Sequence, residues 1–156
     1  MSQDYLPLAT VTLASSASAV TFSNIPATYR DLICVVNHTK NTLTTFTIRF
    51  NGDNTSGNYT SVYMVGNGSS AVSGTETGFT FAFSDTPVNT QVCQIMDYSA
   101  TDKHKTMLLR HSDSSRQSAA YAARWANTAA ITSMAIALSS GTFSAGSTFN
   151  LYGVIA

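Results

Sequence analysis

The hexapeptide TFTIRF, residues 45–50, decides the fold class, because apolar residues alternate with polar ones at every second position. The same period of two recurs in residues 79–83, FTFAF, in 134–138, MAIAL, and in 149–152, FNLY. Side chains on a strand point to opposite faces in turn, so this alternation is typical of strands with one buried face and one wet face. Threonine, the commonest residue, also favours strands. The sequence therefore predicts an all-β protein.

Turn-forming clusters such as Asn51-Gly52-Asp53 separate the strand-like runs. Eleven segments have strand-like patterns: 5–13, 19–23, 30–38, 43–50, 59–65, 77–84, 90–97, 104–112, 118–126, 130–138 and 147–155. We predict about ten strands, because one of the first two segments is expected to be irregular. Many short strands predict an antiparallel β-sandwich or barrel, and residues 1–156 form one domain.

Three segments are less regular. The stretch 66–77, rich in Gly, Ser and Thr, is predicted to be the most flexible loop. Residues 23–29 allow a short helical turn with Pro26 in its first turn. The alanine-rich segment 118–127 has helix propensity, but it is short and lies between two clear strands, so we favour a strand.

The chain carries unusually little charge. Of 156 residues, 8 are basic and 8 acidic, or 10% charged, against about 25% in an average domain. Ser (21), Thr (22) and Asn (10) take the place of charged side chains. Zero net charge argues against nucleic acid or an anionic membrane as partner. A neutral surface resists self-association poorly, so we expect a homo-oligomer. Residues 1–8 lack the basic start of a secretory signal, which suggests a cytoplasmic product or one exported as part of an assembly.

No catalytic pattern stands out, so we expect a non-enzymatic protein without a cofactor. His111-Ser112-Asp113 contains the residue types of a triad, but neighbours on a strand point to opposite faces. The loop 51–58, NGDNTSGN, is either a hairpin loop or a set of hard oxygen ligands for Ca²⁺. Cys34 and Cys93 are either two buried thiols or a single bridge.

Aromatic residues supply the candidate contact site. Tyr59 and Tyr63 share one strand face, since they are four residues apart, and Tyr121 and Trp125 share another. With Arg124 nearby, these rings could stack on sugars or fill a subunit interface, and they could equally be core. The sequence leaves the three interpretations open.

Two stretches resemble a known family. Residues 20–59 contain VTFSNIPATYRDLICVV and TIRFNGDNTSGNY, and residues 124–154 read RWANTAAITSMAIALSSGTFSAGSTFNLYGV. Together they resemble small tailed-bacteriophage virion proteins and fibre-tip domains, with weaker similarity over 66–118. The resemblance implies a jelly-roll-like β-sandwich that serves as a structural or adhesive part of a virion, usually in a symmetric oligomer.

Two functions are therefore expected. The first is a capsid decoration (cement) protein, a homotrimer by preference, that binds the major capsid protein or other virion proteins after assembly in the host cytoplasm. The start at Met1 without a fibrous shaft favours it. The alternative is a receptor- or carbohydrate-binding module of a tail or head fibre that grips host surface glycans through Tyr59, Tyr63, Tyr121, Arg124 and Trp125.

Overall fold

A computed structural model describes residues 4–42, 44–78, 80–82, 88–114 and 117–155. Within these ranges the chain forms twelve strands and one short 3₁₀ turn at Ser56–Asn58. The strands are β1 Tyr5–Thr12, β2 Ala19–Phe22, β3 Asp31–His38, β4 Thr45–Phe50, β5 Tyr59–Gly66, β6 Ala71–Thr77, β7 Thr80–Ala82, β8 Asn89–Met96, β9 Lys105–Asp113, β10 Ser118–Trp125, β11 Met134–Leu138 and β12 Thr148–Val154.

The strands form two antiparallel sheets. The large sheet has the order β1-β12-β3-β8-β9-β10-β5-β6, and the small sheet has the order β2-β11-β4-β7. The chain passes repeatedly from one sheet to the other, for example from β3 to β4 and back to β5. Such crossovers are typical of jelly-roll sandwiches. The predicted fold class, an all-β antiparallel β-sandwich, is confirmed.

The core lies between the sheets and follows the alternation seen in the sequence. Phe46, Ile48 and Phe50 of β4 are fully buried, while the residues between them are only partly buried. In the large sheet, β9 and β10 alternate strictly between buried and exposed positions along most of their length. The segment 118–127 is thus a strand over Ser118–Trp125, as favoured, because Ala119 and Ala123 take inward positions.

The prediction of a flexible loop at 66–77 is wrong for its second half, which is strand β6. This strand pairs with β5 in continuous register, with Val72 opposite Val65. Gly74 fits there because the Tyr63 ring covers it: a Cβ at position 74 would lie 2.7 Å from the Tyr63 hydroxyl. The glycine-rich composition predicts flexibility, but Gly74 instead leaves space for the Tyr63 ring.

Two further predictions need correction. Residues 23–29 form no helical turn, since Asn24 has a φ of +55° and Ile25 instead donates its backbone N–H to Thr132. The strand predicted over 130–138 begins only at Met134. Of the predicted strand 77–84, Phe79 and Phe83 lie outside the described residues.

Candidate functional site

Three of the candidate aromatic residues belong to the core. Tyr59, Tyr121 and Trp125 are 0%, 3% and 1% exposed, so the prediction that they contact a glycan or a partner is wrong. They occupy inward positions of β5 and β10, where burial of their large apolar area stabilises the sandwich. Tyr63 is half-buried against Tyr121, with ring centroids 5.5 Å apart. Arg124 is the one member of the set that is exposed.

Trp125 and Tyr59 are held by the loop that follows β4. The Trp125 indole N–H donates to the Asp53 carboxylate at 2.8 Å, and its ring stacks on Tyr59 with centroids 6.3 Å apart. The Tyr59 hydroxyl donates to the Asp53 backbone carbonyl at 2.9 Å and accepts from the Phe50 N–H at 3.2 Å. The guanidinium of Arg49 covers the Tyr59 ring at 4.9 Å. This cluster fastens β4 of the small sheet to β5 and β10 of the large one.

The oxygens considered as calcium ligands make hydrogen bonds within the protein. The Asp53 carboxylate also accepts from the Asn58 amide at 2.8 Å and from the Thr55 N–H at 2.9 Å. The hydrogen bond from Trp125, followed by those from Asn58 and Thr55, lowers the pKa of Asp53 to about 2. Within the described ranges, no group of three or more His, Cys, Asp or Glu side chains is placed to hold a metal ion. These bonds favour the structural interpretation of the loop.

The loop is nevertheless not a hairpin, because it joins strands of different sheets. Asn51 and Gly52 have φ of +51° and +69°, the positive values required by a type I′ turn. The Asn51 side chain reaches across to the segment before β11: its oxygen accepts from the backbone N–H groups of Thr132 and Ser133, and its amide donates to Ala130. These bonds explain why the strand starts late, since they occupy the backbone groups that a longer β11 would use.

The other residues that carry the family resemblance are structural as well. The Tyr29 ring lies directly on Gly153, where a Cβ would come within 2.4 Å of the ring. The buried Asp31 carboxylate accepts from the backbone N–H of Asp97 at 3.0 Å and pairs with Arg30 at 3.1 Å. Tyr29, Gly153 and Asp31 therefore have structural roles within these motifs.

A buried polar cluster lies at the end of the core where His38, Gln91 and His111 meet. The Gln91 amide nitrogen and the His38 Nε2 are 3.0 Å apart, and the His38 ring stacks on Phe46. Burial, followed by the nearby charge of Lys40, lowers the pKa of His38 to about 4; burial likewise lowers the pKa of His111 to about 4. Both imidazoles are therefore neutral at pH 7.

The chemistry considered for His111-Ser112-Asp113 is not assembled. His111 points inward and is 3% exposed, whereas Ser112 is exposed on the opposite face of β9, as the strand geometry predicts. Cys34 and Cys93 face each other across β3 and β8, and both are free and fully buried. Burial raises the pKa of Cys93 to about 12 and that of Cys34 well above its usual value. Of the two interpretations, two buried thiols or a disulfide bridge, the structure agrees with the buried thiols.

A second surface, which the aromatic pattern does not indicate, is the face of the large sheet that points away from the core. Val62, Met64 and Leu108 are 57%, 66% and 47% exposed there, and Ala120 and Ala122 lie between them on β10. The signal was present in the sequence: in YTSVYMVG, residues 59–66, and KTMLLRHSD, residues 105–113, apolar residues occupy positions on both faces. We call this area, including Arg110 and Val92, the outer face.

The outer face is concave. Two adjoining depressions, with volumes of ≈ 880 Å³ and ≈ 620 Å³, share Met64, Val92, Arg110 and Ala120 in their lining. The two alanines form the floor because their side chains are shorter than those of the flanking strands β5 and β9. A lone apolar residue on a surface is ordinary, but a contiguous exposed apolar area typically marks an interaction site.

Comparison with known proteins gives the fold alone. No family model and no curated protein matches the chain. Among solved structures, the chain is similar to an exo-inulinase from Aspergillus awamori, with a TM-score of 0.53 and 14% identity over 96% of this chain. It spans only 29% of the length of that enzyme. In the described part of the chain, no helix is long and apolar enough to span a membrane.

Proposed function

We propose that this protein is a non-enzymatic structural component of a tailed-phage particle, a capsid decoration protein that binds the outer head surface as an oligomer. The motifs around residues 20–59 and 124–154 support the phage assignment by resemblance. The low charge supports a role as a subunit of an assembly, because neighbouring copies repel one another only weakly.

The observation that carries the proposal is the outer face. An apolar, concave surface with few charges is suited to contact with another protein, and its exposure to water in an isolated chain is unfavourable. Such a role is mechanical: the sandwich covers neighbouring subunits, and many weak contacts on one particle reinforce each other by multivalency. The partners are the major capsid protein and other virion proteins.

The glycan-binding alternative loses its main support. A sugar platform needs an exposed aromatic face, whereas Tyr59, Tyr121 and Trp125 lie in the core. Arg124 is exposed, but an arginine alone does not form such a platform.

The proposal is tested with expanded capsids of the phage that encodes the chain, prepared without this protein. We expect the purified protein to co-sediment with them and to raise their melting temperature in calorimetry. Leu108→Glu, on the outer face, is expected to weaken capsid binding at least tenfold, because it places a charge in the apolar contact that holds the oligomer together, and capsid binding relies on the many copies of that oligomer.

Thr106→Glu is the matched control, since Thr106 is exposed on the same side of the same strand but outside both depressions. It is expected to bind like the wild type. If the wild-type protein fails to bind capsids and a glycan array shows specific binding, the adhesive function replaces this proposal.

A further inference from the structure

Arg110 places a positive charge in the apolar outer face. Arg110 is exposed and lines both depressions, between Val92 on β8 and Ala120 on β10. The two ion pairs between described residues, Arg30–Asp31 and Lys103–Asp97, do not involve it. An occupant that buried this guanidinium without a carboxylate would leave a desolvated charge, so the favoured occupant is apolar and brings an acidic group.

The shape and charge of the outer face argue against its pairing with the same face of a second copy. Two concave surfaces leave a void where they meet, and voids forfeit packing contacts. A two-fold contact would also bring two copies of Arg110 into one apolar interface, where like charges repel. A surface that complements the outer face is apolar and acidic.

The chain itself has a surface of that kind at the opposite edge of the large sheet. Tyr5 and Ile155 are 57% and 41% exposed there, and Asp4 is exposed beside them. The Ile155 N–H donates to the Asp4 carbonyl at 3.2 Å, which holds these residues together where β1 pairs with β12. We call Asp4, Tyr5 and Ile155 the edge corner.

The outer face and the edge corner do not overlap. In the sheet order, three strand steps separate β1 from β8, where Val92 lies at the near border of the outer face, and neighbouring strands are about 4.8 Å apart, so the two surfaces lie roughly 14 Å apart across the sheet. A single copy can therefore offer its edge corner to one neighbour and its outer face to another. A head-to-tail contact of this type closes into a ring when the rotation between copies allows it.

We propose that the edge corner of one copy inserts into the outer face of the next, with Asp4 paired to Arg110 and with Tyr5 and Ile155 against the apolar depressions. This inference rests on the proposed function, since it specifies the oligomer that the decoration protein forms. The contact is heterologous, as in a closed trimer, and it covers the exposed apolar residues of both surfaces.

The test exchanges the charges of Asp4 and Arg110 and measures self-association by sedimentation equilibrium. Wild-type protein is expected to be a closed oligomer, and Arg110→Glu and Asp4→Arg are each expected to weaken association at least tenfold, because each leaves like charges facing each other. The combined variant Asp4→Arg/Arg110→Glu is expected to recover most of the wild-type association. Arg124→Glu is the control, since Arg124 is exposed on β10 but lines neither depression.

Circular dichroism establishes that each variant is folded. A wild-type monomer at millimolar concentration overturns the inference, as does an oligomer that both single variants leave intact or that the double variant fails to restore. Capsid binding by the same proteins separates the two proposals: an oligomer that recovers with the double variant but never binds capsids overturns the decoration function and supports the head-to-tail contact.

Discussion

Replacing Asp53 by alanine tests whether the loop after β4 fastens the two sheets. Its carboxylate accepts hydrogen bonds from Trp125, Asn58 and Thr55. The donors of Asn58 and Thr55 lie in a partly exposed loop and can turn to water, so their loss costs little. Trp125 is 1% exposed, and leaving its N–H without an acceptor costs about 1–3 kcal/mol.

We therefore expect Asp53→Ala to lower the free energy of unfolding by about 3 kcal/mol once the smaller contributions are included. For a domain of this size that loss lowers the Tm by roughly 6–12 °C. Far-UV circular dichroism during urea denaturation is the measurement, since it also serves for variants that lack the single tryptophan. Asp102→Ala, which removes an exposed carboxylate, is the control and is expected to stay within about 0.5 kcal/mol of the wild type.

A double-mutant cycle isolates the bond itself. In a Trp125→Phe background the donor is absent, so Asp53→Ala should cost about 2 kcal/mol less than in the wild type. A coupling energy below about 0.5 kcal/mol would refute the argument that this bond connects the sheets. The pH provides a second check: the lowered pKa of Asp53 means that its contribution is present above about pH 4 and disappears toward pH 2, a loss that Asp53→Ala should not show.

Three further predictions concern the core. Because the pKa of buried His38 is lowered to about 4, its contribution to stability is complete above about pH 6.5 and falls by about 1.4 kcal/mol per pH unit toward pH 4; His38→Phe should show a smaller pH dependence in urea denaturation. Cys34 and Cys93 should not react with a thiol reagent in the folded protein, whereas both should react in urea. Reaction of either thiol in the native state would contradict their burial. Gly153→Ala should lower the Tm by several degrees in a thermal scan, since a Cβ would collide with the Tyr29 ring, and an unchanged Tm would show that the ring moves freely.

The sequence predicted the sandwich because each strand repeats a local pattern that burial enforces. The alternation in residues 45–50 needs no knowledge of the partner strand, since a shift by one residue would turn the whole apolar set to water. Strand β6 escaped prediction for the opposite reason: the role of Gly74 depends on the Tyr63 ring of a neighbouring strand. The late start of β11 likewise depends on Asn51, roughly eighty residues earlier.

The candidate site failed for a related reason. A tyrosine or tryptophan on a strand has the same local pattern whether it faces the core or the solvent, so spacing alone could not place Tyr59 and Trp125. The deciding partner is Asp53, whose carboxylate gives the buried indole an acceptor. Once the polar end of Trp125 is satisfied inside, burial of the ring is favourable.

On the outer face, the positions of threonine and of apolar residues are informative. Outward positions of β5 and β9 carry the half-buried Thr60 and the exposed Thr106, and the next outward residues along the same strands are Val62 and Leu108. If the whole face served only to meet water, hydroxyls would suffice throughout, as they do at Thr60 and Thr106. Under the proposed contact, the change from hydroxyl to apolar side chain within single strands is the boundary of the covered area, and Arg110 inside that boundary requires a negative charge on the covering surface.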